Sequence, residues 1–252
     1  MASERPELRR EGAAEGAIIP HPQSLQTILH AAWAVFVKDL RVELRTRYAL
    51  NAMVLFAVCT AVMVSVGNTA IGLRRSDEFL LIQSSLLWVA FLFAAISGLS
   101  RGFVQEEEAR TMAALRLAAP PLAVFLGKFL LNLALLLLLG LITSVLFIVL
   151  VRVEVGSPLA FTLMLTAGGV CLASATTLLA AIISKASFRS ALFAVLAFPL
   201  LMPPLVVAIQ GTALTLADGG LAPALGSLQF LVAYSVATFV ASLLLFRFVW
   251  EV

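Results

Sequence analysis

Residues 130–151 read Leu-Leu-Asn-Leu-Ala-Leu-Leu-Leu-Leu-Leu-Gly-Leu-Ile-Thr-Ser-Val-Leu-Phe-Ile-Val-Leu-Val, an apolar run without a single charge. About 20 such residues carry an α-helix across a bilayer. A transmembrane barrel strand would need only about ten residues, alternating in character. This run is twice that length and continuous, so it predicts a membrane-spanning helix. Five further apolar runs lie on either side of it, at 49–71, 79–99, 159–184, 188–209 and 228–246. The expected fold is an all-α membrane protein with six transmembrane helices.

Composition agrees with the runs. Of 252 residues 62% are apolar and 12% charged, and the mean hydropathy is +1.05. Soluble domains carry roughly 25% charge and 45–50% apolar residues, so little of this chain remains for a domain in water. The net charge of +3 does not indicate nucleic acid, because the basic residues flank the apolar runs. Lys38, Arg41, Arg45, Arg47, Arg101, Arg110, Arg116, Lys128, Lys185, Arg189 and Arg247 fall on one side, against Arg74, Arg75 and Arg152 on the other. By the bias of Lys and Arg toward the cytoplasm, both termini are expected to be cytoplasmic.

Residues 1–23 are rich in Glu, Arg, Ala, Gly and Pro without an apolar core segment, which predicts a disordered cytosolic tail rather than a cleavable signal. In residues 24–47 the pattern changes. Leu25, Leu29, Trp33, Phe36, Leu40 and Leu44 recur at the helical period, opposite Lys38, Asp39, Arg41, Glu43 and Arg45. Such a helix is expected to lie flat at the interface, with Trp33 and Phe36 in lipid and Lys38, Arg41 and Arg45 toward anionic headgroups. Its bland role is an anchor; its functional one is an elbow moving with the first span.

Absences narrow the chemistry. His21 and His30 both precede the first span, Cys59 and Cys171 stand alone in apolar runs, and no HExxH or GxSxG is present. No catalytic and no metal-binding residue is expected. The six runs hold no Asp, Glu or Lys, the groups that ion-coupled transporters place at membrane depth. Gly127-Lys128 is not part of a P-loop, so energy for any active process has to come from a partner.

The stretch 101–121 between the second and third spans is the longest polar connection. Glu106, Glu107 and Glu108 are followed by Arg110 one turn after Glu106, then by Thr111, Met112 and Leu115, with Pro120 and Pro121 as a stop. Plainly read, this is a solvated short helix whose acidic start favours its dipole. Functionally read, it is a knob for a cytosolic motor.

Two further features have both readings. Pro199, Pro203 and Pro204 interrupt the fifth span, as a candidate hinge or a tolerated kink. Gly169, Ala173, Thr177 and Ala181 form a small-residue stripe in the fourth, suited to close packing within the bundle. Trp88 reads as packing and Trp250 as an interface anchor.

Phe103, the acidic run, Arg110-Thr111, Leu115, Ala119-Pro120 and Leu126-Gly127-Lys128 follow an order that resembles the loop of ABC-2-type permeases. Lys38-Asp39-Leu40, Glu43-Leu44-Arg45, Leu87-Trp88-Val89-Ala90, Gly98-Leu99-Ser100-Arg101 and the proline-bearing fifth span narrow the resemblance. They are similar to the permease subunit of the cytochrome c maturation system, haem exporter protein B, over residues 31–252. Ala109 and Ala119 depart from the family's usual Gly and Ser.

The resemblance implies a multi-pass subunit of the bacterial inner membrane, acting in haem delivery and pairing with a second copy of itself. It implies a separate cytosolic ATP-binding subunit docking at Glu106, Glu107, Glu108, Arg110, Thr111 and Leu115. A haem-handling membrane protein and a haem chaperone are the further implied associates. ATP enters through the partner, and haem is not expected to be ligated by this chain alone. An ABC-2 exporter of lipid, glycan or drug, and a membrane scaffold that does not move, stay open as alternatives at this point.

Overall fold

The computed structural model describes residues 25–71, 76–99, 119–184, 189–217 and 220–251, and all regular structure among them is helical. α1 is Leu25–Thr46, α2 Tyr48–Ile71, α3 Asp77–Leu99, α4 Pro121–Leu146, α5 Pro158–Ser184, α6 Arg189–Leu216 and α7 Leu225–Glu251. Five segments among the described residues are long and apolar enough to cross a membrane: 50–68, 121–151, 158–179, 195–216 and 222–246. α3 stands in the same bundle, against α2 and α6. Ser76 starts it by accepting the N–H of Phe79 at 3.2 Å, a cap for one of the unpaired donors of a helix N-terminus. The Ser76 hydroxyl first, and then the backbone N–H of Glu78 itself, hold the exposed Glu78 carboxyl below the usual carboxylate range.

Helix ends differ from the apolar runs in instructive ways. The third run, read as 130–151 with a start as early as Pro121 left open, takes the earlier start: α4 begins at Pro121, the last residue of the expected 101–121 connection. Proline has no N–H to lose at a first helical position and its φ is set for the helix. Ala123, Val124 and Phe125 are then buried, and their packing carries the helix through Lys128. At its other end α4 passes into a π turn, Phe147–Val151, closed by Arg152 in the left-handed region at φ 56°. Ser65 of α2 donates to the Leu150 carbonyl there at 2.7 Å. The fifth run ends at 209, but α6 continues to Leu216. Its polar continuation is satisfied within the bundle, since Thr212 accepts from Trp88 and Thr215 donates to the Thr212 carbonyl.

α5 is the centre of the bundle, packed against α7, α6, α4 and α3. Gly169, Ala173 and Thr177 of the small-residue stripe are buried inside it, and Asn132 of α4 donates to the Thr177 hydroxyl at 2.7 Å. Trp88 is fully enclosed. Its ring lies over Gly168, where a Cβ would collide with it, and its Nε1 donates to Thr212 at 2.8 Å. A bulky, flat side chain is thus matched to a helix surface that only glycine leaves open.

Candidate functional site

In chain order α4 begins directly after the expected docking segment, and its first turns pack against α1. α1 presents two faces. Leu25, Leu29, Trp33 and Leu44 are exposed, and Phe36 is half-buried with its ring 5.1 Å from that of Trp33. Lys38, Arg41 and Arg45 are accessible. This is the amphipathic stripe of the sequence, left uncovered by protein.

The second face went unseen in the sequence. Ala32 and Val35 are buried, and Asp39 continues their line one turn on. Asp39, expected on the solvent side, instead turns toward α4, where its Oδ2 lies 3.3 Å from Lys128 Nζ. The Lys128 side chain is 4% exposed and that of Asp39 13%. Lys38 Nζ reaches the other carboxylate oxygen, Oδ1, at 3.0 Å. The expectation that no ionisable group lies inside a spanning helix therefore fails at Lys128. Its position inside 121–151 followed from packing that began nine residues before the uncharged run did.

Glycine makes the pair possible. A Cβ on Gly127 would stand 2.7 Å from Val35 Cβ and Cγ1 and 2.8 Å from the Ala32 carbonyl oxygen, so only a residue without a side chain lets the two backbones meet here. Charge burial is tolerated when the partner is held in place, and this close approach holds it. The adjacent Gly-Lys dipeptide was the available signal; its partner, 89 residues earlier, was not.

The other end of α1 is fixed too. Arg47 takes a left-handed conformation, φ 54°, as the one residue between α1 and α2. Its N–H donates to the Glu43 carbonyl, and the Glu43 carboxylate accepts the N–H of Leu50 at 3.0 Å. An acidic group thereby satisfies a free donor at the start of α2. α1, the Arg47 junction and the first turns of α4 make one connected piece. What such an arrangement offers is mechanical: α1 and the first turns of α4 are joined by a close backbone contact and an ion pair.

The expected docking residues Glu106, Glu107, Glu108, Arg110, Thr111 and Leu115 lie outside the described residues. The hinge prolines do not. α6 runs through all three without a break, with Pro199 and Pro203 exposed and Pro204 buried. Pro204 cannot donate to the carbonyl of Leu200, and the Tyr234 hydroxyl of α7 donates to that oxygen at 2.8 Å. This carbonyl is therefore occupied.

A concavity of about 780 Å³ opens between α4 and α5 near the π turn, walled by Leu137, Leu141, Val145 and Leu165 and rimmed by Glu154. Its hydroxyls, Ser144, Thr162 and Thr166, already donate to carbonyls of their own helices. Among the described residues, no three His, Cys, Asp or Glu side chains come together as a metal site.

Residues 30–248 match the family described as CcmB protein, from the first turns of α1 nearly to the end of α7. No curated protein and no solved structure matches the chain.

Proposed function

Because the chain belongs to the CcmB protein family, the membrane component of the haem exporter of cytochrome c maturation, we propose that it is the moving, nucleotide-free half of an ATP-driven permease. It is a multi-pass transporter subunit, not an enzyme. In this reading α3 also spans the membrane, which makes six spans, both termini face the cytoplasm of a bacterial inner membrane, and a second copy completes the permease. A cytosolic ABC ATP-binding subunit docks on Glu106, Glu107, Glu108, Arg110, Thr111 and Leu115.

The observation that supports it most is the Gly127–Lys128–Asp39 clamp directly beyond the docking segment. Closure of the ATPase pair on ATP pushes the segment. α4 and α1 respond as one piece, and the push reaches the bundle and its lipid contacts together. The motor can bias the bundle only by binding one of its conformations better than the other. Haem is cargo of the system, ligated by a haem-handling membrane protein and a chaperone, and the stroke releases the loaded chaperone. The absence of any His from the spans supports this division of labour.

The test is Glu106→Lys with Glu107→Lys. The expected result is loss of ATPase co-purification with normal membrane insertion of the permease; unchanged pull-down and unchanged cytochrome c maturation refute the docking role. Changing the Walker lysine of the partner then separates a moving permease, which stops, from a scaffold, which does not.

A further inference from the structure

The concavity of about 780 Å³ between α4 and α5 reaches halfway along the span and stops. Its α4 wall runs from Leu136 to Ile148, about 18 Å at the rise of an α-helix. Leu136 is the central residue of the 31-residue segment 121–151, so the groove extends from the middle of the bilayer to the end of α4 remote from α1. One leaflet of hydrocarbon is about 15 Å deep, half of a core of about 30 Å. Toward α1 the two helices are closed on each other, and Asn132 donates to Thr177 across the seam. The floor is the Phe91 ring of α3, which fits over Gly140 where a Cβ would stand 2.7 Å from its Cζ.

The lining asks for an apolar occupant. Leu137, Leu141, Val145 and Leu165 form the walls, and the hydroxyls of Ser144, Thr162 and Thr166 are spent on their own helices. No His, Cys, Met or Tyr lines the groove, so haem would find no axial ligand in it. Charge enters only at the mouth, where the exposed Glu154 forms the rim and Arg152, also exposed, precedes it by two residues.

We infer that this groove seats one acyl chain of a bilayer phospholipid, with a zwitterionic headgroup at the mouth, its phosphate toward Arg152 and its ammonium toward Glu154. The length of the groove is that of one leaflet, which suits a lipid chain. A helix from a second copy would lie along the whole span and need a groove about twice as long. The volume is that of a ligand site, in the range of about 300–1,000 Å³, and left empty its walls would forfeit their dispersion contacts. Opposite charges at the rim complement a headgroup that carries both signs. The site uses α3, α4 and α5 and the connection after α4, so it does not depend on the docking reading, and each can fail alone.

Full-length protein is reconstituted in nanodiscs of equimolar phosphatidylethanolamine and phosphatidylglycerol, extracted into detergent, washed, and measured by native mass spectrometry. The expected result is one phosphatidylethanolamine retained per chain. Thr162→Phe with Thr166→Phe, which fills the groove from its exposed side, should lose that lipid, and Val62→Phe on the exposed face of α2 should keep it. In Glu154→Gln the retained lipid should shift toward the one-to-one composition of the bilayer. A second measurement needs no variant to fold. Phosphatidylethanolamine with a diazirine at the end of one acyl chain should label residues 136–141 of wild type and still do so after a chase with excess unlabelled lipid, whereas label on residues 55–66 of α2 is chased away. No retained lipid in wild type, unchanged retention in the filled groove, or label lost from 136–141 as readily as from α2 would each overturn the seat. A disulfide between two copies of Leu141→Cys in a Cys59→Ser background would overturn it in favour of a second copy. An unchanged lipid preference in Glu154→Gln would overturn the headgroup assignment.

Discussion

Replacing Gly127 with alanine tests the α1–α4 junction by the smallest possible change. The new Cβ would lie 2.7 Å from two carbons of Val35 and 2.8 Å from the Ala32 carbonyl oxygen. Carbon atoms rest no closer than about 3.5 Å, so α1 has to recede by about 0.8 Å. The Asp39–Lys128 separation, 3.3 Å in the native junction, then grows to roughly 4.1 Å, beyond a charge-assisted hydrogen bond. Overpacking of this kind costs about 1–3 kcal/mol. Helix propensity acts in the opposite sense, favouring alanine by about 1 kcal/mol. Gly67 of α2 supplies the control, because nothing lies within 4 Å of the Cβ it would gain. Gly67→Ala should therefore unfold at or above the wild-type midpoint and Gly127→Ala below it, with a gap of about 1–3 kcal/mol between them. Reversible unfolding in mixed micelles, followed by circular dichroism, measures the gap. Coinciding curves for the two variants would show that α1 does not meet α4 at this glycine, and the clamp would have to be abandoned.

Three other outcomes are expected. Asp39→Asn and Lys128→Met should each destabilise, while the double variant costs less than their sum by roughly 0.5–3 kcal/mol; strict additivity in the same unfolding assay argues against the pair. Tyr234→Phe should lose about 1 kcal/mol by exposing the Leu200 carbonyl in a membrane interior, and that loss should vanish in a Pro204→Ala background, where the helix regains its own donor. Persistence of the loss there contradicts the capping role. Gly168→Ala, which drives a methyl into the Trp88 ring, should abolish accumulation of folded protein in membranes, and Trp88→Leu should restore it; accumulation of Gly168→Ala at wild-type level contradicts the packing.

Among the described residues the apolar runs located α2 to α7, because membrane insertion responds to hydrophobicity summed along a segment, a quantity contained in the chain itself. The exposed stripe of α1 was visible for the same kind of reason, its large residues marking the helical period. The second face was hidden: Ala32 and Val35 contribute little to a hydrophobic pattern, and Asp39 counted with the charges. Helix starts were less sharp, since the third run could begin anywhere from Pro121 to Leu130 around a lysine, and packing selected Pro121.

Sequence alone thus determined that this is a helical membrane protein and roughly where five of its long apolar helices run. Only the tertiary structure decided that Lys128 sits inside a helix, that Asp39 belongs to it, and that Tyr234 completes the helix that Pro204 leaves open. The physical reason is that a charge or a free carbonyl is tolerated in an apolar interior according to the partner it meets. Those partners stand 89 residues away for Lys128 and 34 for Leu200, at distances set by how the helices pack.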